Sequence, residues 1–256
     1  MTPRTRRDGE FCWINILTRK PADAREFFVR VLGWEFTARP PIGYGIKVGG
    51  RNIGGFWDTV SPQTPSGTPA MMGVMVKVAD ADAMAERVKA LGGKAQPAFD
   101  IPNAGRMAVC HDPNGAQFDL WQPTTMPGTD VDATLHGAPS WWESMTTDVA
   151  VATTFYEALF GWTSEVTNNT GAPYTVFKQG NDMVAGMMEI RPEMGGQTPV
   201  WGVYFTVSDV HLAAKTARDL GGTLCVPVMD IPGVGPMCGI TSPGGVTFYA
   251  FTPTAG

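Results

Sequence analysis

The stretch DIPNAGRMAVCHDPNGAQFDLWQPT, residues 100–124, is nearly repeated by DIPGVGPMCGITSPGGVTFYAFTPT, residues 230–254. D-I-P, a Gly, a Met, a Pro, a Gly, a Phe and a closing P-T stand in one register, offset by 130 residues. Upstream, CWINILTRKPADAREFFVRVLGWEF (12–36) matches SWWESMTTDVAVATTFYEALFGWTS (140–164) at an offset of 128. Between them, GVMVKVADADAMAERVKALGG (73–93) matches GVYFTVSDVHLAAKTARDLGG (202–222) at 129. So small a drift across a whole half points to duplication, and repeats of this length decide the fold before any local reading does. The halves meet at a Pro/Gly/Asp/Thr-rich stretch suited to a linker. The expected layout is a flexible tail over 1–8, a first domain over 9–124, a linker over 125–136 and a second domain over 137–254.

A weaker symmetry lies inside each half. Four segments read as an alternating strand, an amphipathic helix and then a Gly, at Gly33, Gly92, Gly161 and Gly221. Gly adopts the left-handed conformation that ends many helices without steric cost. Pro21 suits a first helical position, and Asp148 suits an N-cap. Strand-like runs follow each Gly, and P-N-G at Pro113 and P-G-G at Pro243 lie where hairpin turns are needed. The unit is therefore strand, helix and three strands, written four times. Two units per half form an α+β domain, a curled eight-stranded mixed sheet with its helices outside and a ligand-sized mouth.

Composition limits what such a protein does. The chain has 256 residues, 43% apolar and 17% charged, enough to bury a core in each half. A net charge of −5 carries no basic footprint for nucleic acid. No apolar run approaches the roughly 18 residues of a membrane span, and no apolar stretch follows the N-terminal arginines as in a signal peptide. Arg6 and Arg7 read as a solvated tail. Four cysteines without CxxC spacing favour a reducing, cytoplasmic setting.

The ordered motifs resemble the vicinal oxygen chelate superfamily, the glyoxalase, bleomycin-resistance and dioxygenase proteins. The residues that carry the resemblance are D-V-A-V-A-T-T-F-Y with L-F-G-W in the second half and R-E-F-F with V-L-G-W in the first. V-A-D at Val78 and V-S-D at Val207 open helices, and D-P-N-G and S-P-G-G precede the last strands. More narrowly, the chain is similar to tandem two-domain members of actinobacteria. The resemblance implies two glyoxalase-like domains and a divalent metal held by His and Glu on the first, fourth, fifth and eighth strands of a domain.

Counting onto this sequence, the first-strand positions are Trp13 and Trp141, the fifth-strand positions Gly73 and Gly202, and the eighth-strand positions Asp119 and Tyr249. The fourth strand offers Asp58 and Glu189, whose direction the pattern leaves open. An indole has no ligand lone pair and Gly has no side chain. Only Asp119 brings a carboxylate to the mapped positions, so no metal and no other cofactor is expected, a divalent ion being the lesser alternative. His111, His136 and His211 stand far apart in the pattern.

Aromatic residues gather where ligands are missing. Trp13, Trp57, Trp121, Trp141, Trp142 and Trp201 lie on or beside strands that border the cups, with Met187, Met188, Phe248 and Tyr249 in the second. Aromatic walls bind flat apolar molecules, and Met adapts to their shape. Any single Trp could equally fill a core. Asp119 and Glu143 are the candidate catalytic groups, since a carboxyl in an apolar pocket serves as acid or base.

The expected function is metal-independent binding of a small aromatic or polycyclic molecule, such as a natural product, by capture or by acid/base transformation. Two alternatives stand beside it. One is a divalent-metal lyase, epimerase or dioxygenase with displaced ligands; the other is an interaction module with filled cups. A monomer or a homodimer is compatible with the duplication.

Overall fold

Strand, helix and three strands succeed one another four times along the chain in the computed structural model, which describes residues 4–18, 21–39, 43–59, 67, 69–168, 172–194 and 198–254. The first half comprises β1 (Phe11–Thr18), α1 (Pro21–Leu32), β2 (Glu35–Arg39), β3 (Gly43–Val48) and β4 (Arg51–Asp58). It continues with β5 (Met71–Lys77), α2 (Ala81–Ala90), β6 (Lys94–Ala95), β7 (Phe99–Ile101), β8 (Gly105–His111) and β9 (Gln117–Pro123). The second half comprises β10 (Pro139–Thr146), α3 (Val149–Phe160), β11 (Thr163–Thr167), β12 (Tyr174–Gln179) and β13 (Asp182–Glu189). After a 3₁₀ turn at Pro192–Met194 come β14 (Val200–Thr206), α4 (Val210–Asp219), β15 (Thr223–Ile231), β16 (Gly235–Thr241) and β17 (Thr247–Phe251).

The helix boundaries follow from single residues. Asp80, Asp148 and Asp209 cap α2, α3 and α4, each carboxylate accepting from backbone N–H groups of the first turn. Gly33, Gly92, Gly161 and Gly221 follow the helices at φ of 65°, 88°, 69° and 81°. An L-residue there would be strained, which is why each helix stops.

The strands run β2-β3-β4-β1-β5-β9-β8-β6 in one sheet and β11-β12-β13-β10-β14-β17-β16-β15 in the other. In each sheet the first strands of the two units are antiparallel neighbours, and each lies parallel to its own unit's last strand. The first sheet has nine strands rather than eight, because the counterpart of β15 is split into β6 and β7. Pro97 stands in the gap and donates no N–H to the ladder. Pro227 stands at the matching place in β15, where the register shifts between Val226 and Met229.

Each half was expected to close its own core; instead they share one. Ile14, Val74 and Phe118 of the first sheet belong to the same buried cluster as Trp142, Val203 and Phe248 of the second. β5 touches both β14 and β17, and α1 packs on α4 while α2 packs on α3. The helices lie outside each cup, as expected, with one face against the shared core and residues such as Val29, Val151 and Leu212 exposed on the other. Phe11 stacks on Trp142 with centroids 5.1 Å apart and planes 6° apart. Trp34 donates from Nε1 to the Gly137 carbonyl, and Trp162 does the same to Gly9. These tryptophans tie one half to the other with both apolar area and a directed bond.

The tail reading does not hold for residues 4–8. Arg4 and Arg7 both bind the carboxylate of Glu10, and Arg7 also pairs with Asp182 of β13 at 2.7 Å. Glu10 is almost fully buried. Burial pushes its pKa up, but the hydrogen bonds from Arg4 and from the backbone and guanidinium of Arg7 outweigh it, leaving a value of about 2. Arg6 donates to the carbonyl of Thr129, which is itself buried in the 125–136 segment. All four cysteines are free thiols, and among the described residues no helix is long and apolar enough to cross a membrane.

Candidate functional site

Strand alternation divides β10 cleanly. Trp142, Ser144 and Thr146 face the shared core, whereas Trp141, Glu143 and Met145 face the concave side. Glu143 pairs with Gly186 on one neighbour, β13, and with Gly202 on the other, β14. It therefore stands in the middle of the cup with no side chain on either side. A Cβ at Gly186 would collide with the Tyr174 hydroxyl, and one at Gly202 would lie 2.7 Å from the Tyr249 ring. The glycines let two tyrosine rings lie down over the sheet beside the carboxylate.

Both Glu143 oxygens are engaged. Tyr174 donates to Oε2 at 2.7 Å and Tyr204 to Oε1 at 2.9 Å. Tyr174 accepts in turn from Trp141 Nε1 at 2.9 Å. Burial raises the Glu143 pKa, and the two tyrosine bonds oppose that rise without cancelling it. Burial, then the nearby carboxylate, pushes Tyr174 and Tyr204 upward, so both hydroxyls stay protonated. Tyr249 stacks on Tyr204 with centroids 4.6 Å apart. Among the described residues its own hydroxyl meets only the thioether of Met145, 3.6 Å away, a weak acceptor.

Above this group opens a cavity of about 520 Å³. Glu143, Tyr174, Tyr204 and Tyr249 line it together with Met145, Met188, Met194, Met229 and Met237. Thioethers repack around ligands of different outline more readily than branched side chains do.

The first cup is smaller, about 280 Å³, and is lined in part by Trp13, Asn15, Arg39, Trp57, Met75 and Trp121. Its central position is Asn15, which pairs with Gly55 and Gly73 as Glu143 pairs with Gly186 and Gly202. Asp119 is only 4% exposed but does not line this cavity. Among the described residues its one hydrogen bond comes from Gln117 at 3.3 Å. Burial pushes its pKa up to about 7, against a small opposing effect of Gln117.

Of the residues singled out from sequence, Glu143, Met188 and Tyr249 line the second cavity, and Trp13, Trp57 and Trp121 line the first. Trp141 faces the cup but acts on Tyr174 rather than walling the main cavity. Trp142 and Trp201 line neither of these two cavities and lie in the shared core. Each is one residue out of phase with the cup, and Trp201 donates instead to Tyr156 inside the shared core. Met187 and Phe248 lie in that core for the same reason. Tyr204 and Asn15, unremarked in the sequence, stand two residues beyond Gly202 and Trp13 and could have been found by continuing the alternation.

Gly73 and Gly202 lie opposite Asn15 and Glu143, not opposite Trp13 and Trp141. The donors do not fit a His/Glu metal centre: both Glu143 oxygens accept from tyrosines, and its neighbours are glycines. Glu189 is exposed at the end of β13, and the Asp58 side chain lies outside the described residues. Among the described residues no three His, Cys, Asp or Glu side chains come together as a metal ion requires.

Comparison with known proteins agrees with this geometry at the level of the fold. A family model described as a glyoxalase-like domain matches residues 13–121. Along 96% of both chains, the sequence is 34% identical to "Putative glyoxylase CFP32" of Mycobacterium tuberculosis (strain CDC 1551 / Oshkosh). It is 29% identical to the anthracycline biosynthesis protein DnrV of Streptomyces peucetius, covering 88% of this chain and 86% of that one. The Mn(II)-bound glyoxalase of Novosphingobium aromaticivorans superposes with a TM-score of 0.64 at 15% identity, over 96% of this chain and 82% of that one. The homoprotocatechuate 2,3-dioxygenase of Brevibacterium fuscum gives 0.64 at 14% identity, over 98% and 82%.

Proposed function

Since the chain belongs to the glyoxalase-like proteins of the vicinal oxygen chelate superfamily, we propose that its second domain uses the family's cup without the family's metal, to bind a polycyclic aromatic natural product. The observation that carries this reading is Glu143, buried beneath a cavity of Met and Tyr side chains and held by Tyr174 and Tyr204. Size sets the ligand class. A cavity of roughly 150 Å³ holds a benzene ring, so about 520 Å³ takes three or four fused rings with substituents. Relatives named for anthracycline biosynthesis support that class of molecule.

Binding would come from apolar burial against the methionines and from stacking on the Tyr204–Tyr249 pair. Orientation would come from the Tyr249 hydroxyl, which has only a thioether to give up. Glu143 is suited to exchange a proton with a ligand oxygen, because burial brings its pKa toward neutrality while the tyrosines hold its position. Capture alone and proton transfer both use this arrangement, and they part at Glu143.

The test is titration with an anthracycline, followed by quenching of tryptophan fluorescence, together with metal analysis of the purified protein. One-to-one quenching in metal-free protein, with affinity or turnover altered by Glu143→Gln, is the expected result. A stoichiometric divalent ion that activity requires would favour the metal-dependent reading instead. Absence of saturable quenching would remove the polycyclic ligand.

A further inference from the structure

The two cups are opposite in hydrogen-bonding character. In the second, a carboxylate is surrounded by donors. In the first, Trp57 Nε1 donates to Asn15 Oδ1 and Trp121 Nε1 to the Met126 carbonyl, but three other donors lack oxygen acceptors among the described residues. Trp13 is 5% exposed, and its Nε1 has no hydrogen-bond partner. Among the described residues Asn15 Nδ2 donates only to the thioether of Met75, at 3.7 Å. Arg39 Nη1 donates to the thioether of Met126, at 3.1 Å, and among the described residues Arg39 has no carboxylate partner. Sulfur is a weak acceptor, and a buried N–H left without a partner is costly. All three side chains line the same cavity.

Arg39 is held there by the sheet itself. A Cβ at Gly45 would lie 2.8 Å from Arg39 Nε, so the missing side chain at 45 is what lets the guanidinium lie against β3. Trp121 spends its N–H on the Met126 carbonyl and presents only its rings to the cavity, beside Trp57 and Met75. Asp119, whose Oδ2 lies beside the Gly73–Asn15 pair on the same face, is kept toward its neutral form by burial and so does not cancel the charge of Arg39 below neutral pH.

We infer that the first cup is a second ligand site, separate from the Glu143 cup, which takes a one- or two-ring aromatic carboxylate. The ring would lie among Trp57, Trp121 and Met75. The carboxylate would accept from Arg39, Asn15 and Trp13, replacing two thioethers and an empty position with oxygen. A planar guanidinium suits this because it can meet a carboxylate with two parallel bonds. At about 280 Å³ the cavity has room for roughly two benzene-sized rings, and a further space of about 510 Å³ adjoins it along Trp13, Arg39 and Met126. The two halves would then bind molecules of different size and charge.

The experiment uses the full chain at pH 6 with 2-naphthoate and, as its neutral counterpart, naphthalene. Affinity is read by calorimetry, and location by the Trp13 indole N–H resonance, assigned through Trp13→Phe. Saturable 2-naphthoate binding that shifts this resonance is expected, with naphthalene at least tenfold weaker. Arg39→Gln should weaken 2-naphthoate at least tenfold and naphthalene little. Arg39 is only half-buried, so this variant keeps the test open even where Trp13→Phe folds poorly. No binding of 2-naphthoate, binding that leaves the Trp13 resonance in place, or equal affinity in Arg39→Gln would each overturn the inference.

Discussion

Tyr174 reaches Glu143 from two strands away, its hydroxyl 2.7 Å from Oε2, in the space left by Gly186. The hydroxyl has one proton to give and gives it to the carboxylate, while its own lone pair is filled by Trp141. Tyr174→Phe removes a bond to the charged form of Glu143 and leaves burial less opposed. The Glu143 pKa should rise further, because a hydrogen bond to the charged form is lost. The pH midpoint of anthracycline binding, or a carboxyl carbon resonance followed through a pH titration, would show the shift. A midpoint that stays or falls would detach Tyr174 from the acid.

Gly186→Ala tests the same contact from below. The new methyl group would occupy the place of the Tyr174 hydroxyl. Either the ring tilts or the strands part, at a cost of about 1–3 kcal/mol. The variant should melt lower and bind the anthracycline more weakly. Gly186→Ala combined with Tyr174→Phe should recover part of the stability lost, because the nearest conflicting atom is gone while the ring carbons Cζ and Cε1 stay. A double variant no more stable than Gly186→Ala would place the strain on those ring carbons rather than on the hydroxyl.

Trp142→Ala separates core from cup. It removes the stack on Phe11 and opens a hole between the halves, with an expected loss of about 3–5 kcal/mol. For a chain of this length that lowers Tm by on the order of 10 °C. The affinity of the protein that remains folded should change little. A large loss of affinity at unchanged Tm would return Trp142 to the ligand site.

Asp119 predicts how stability varies with pH. Its pKa is about 7 in the folded protein and about 3.9 in an unfolded chain. The folded state therefore holds the extra proton between those values, and stability from this group falls as pH rises from about 4 through 7. The full difference is on the order of 4 kcal/mol. Asp119→Asn should flatten this slope and gain on the parent at pH 8. Urea unfolding at pH 5 and pH 8 would measure it, and a parallel slope in the variant would argue against a buried, unpaired carboxyl.

Glu10 has the opposite sign. Its pKa is depressed to about 2 in the folded protein, so its contribution is present above the unfolded value near 4.3 and is lost as pH falls toward 2. Glu10→Gln should remove that acid limb and free residues 4–8, which amide exchange at Arg7 would report.

Much of this was readable in the residues. The four glycines after the helices and the aspartate caps are local signals, and they fix where each element ends. Duplication supplied the rest of the fold. The site was harder, because a strand has period 2 and an error of one residue turns a side chain to the other face. Trp141 and Trp142 are neighbours, yet one supports the cup and the other the core. Tyr174 gave no local signal: it meets Glu143 only because β12, β13 and β10 lie in that order. The shared core was equally hidden, since apolar residues on a sheet's back do not say which half will cover them.

That common interior also limits how the chain can be divided. Cut within 125–136, the two fragments should remain associated and leave a sizing column together. Expressed alone, either fragment would present a broad greasy surface to water and seek a copy of itself as a substitute. The two cavities thus depend on one interior and cannot be physically parted, although each opens on its own cup.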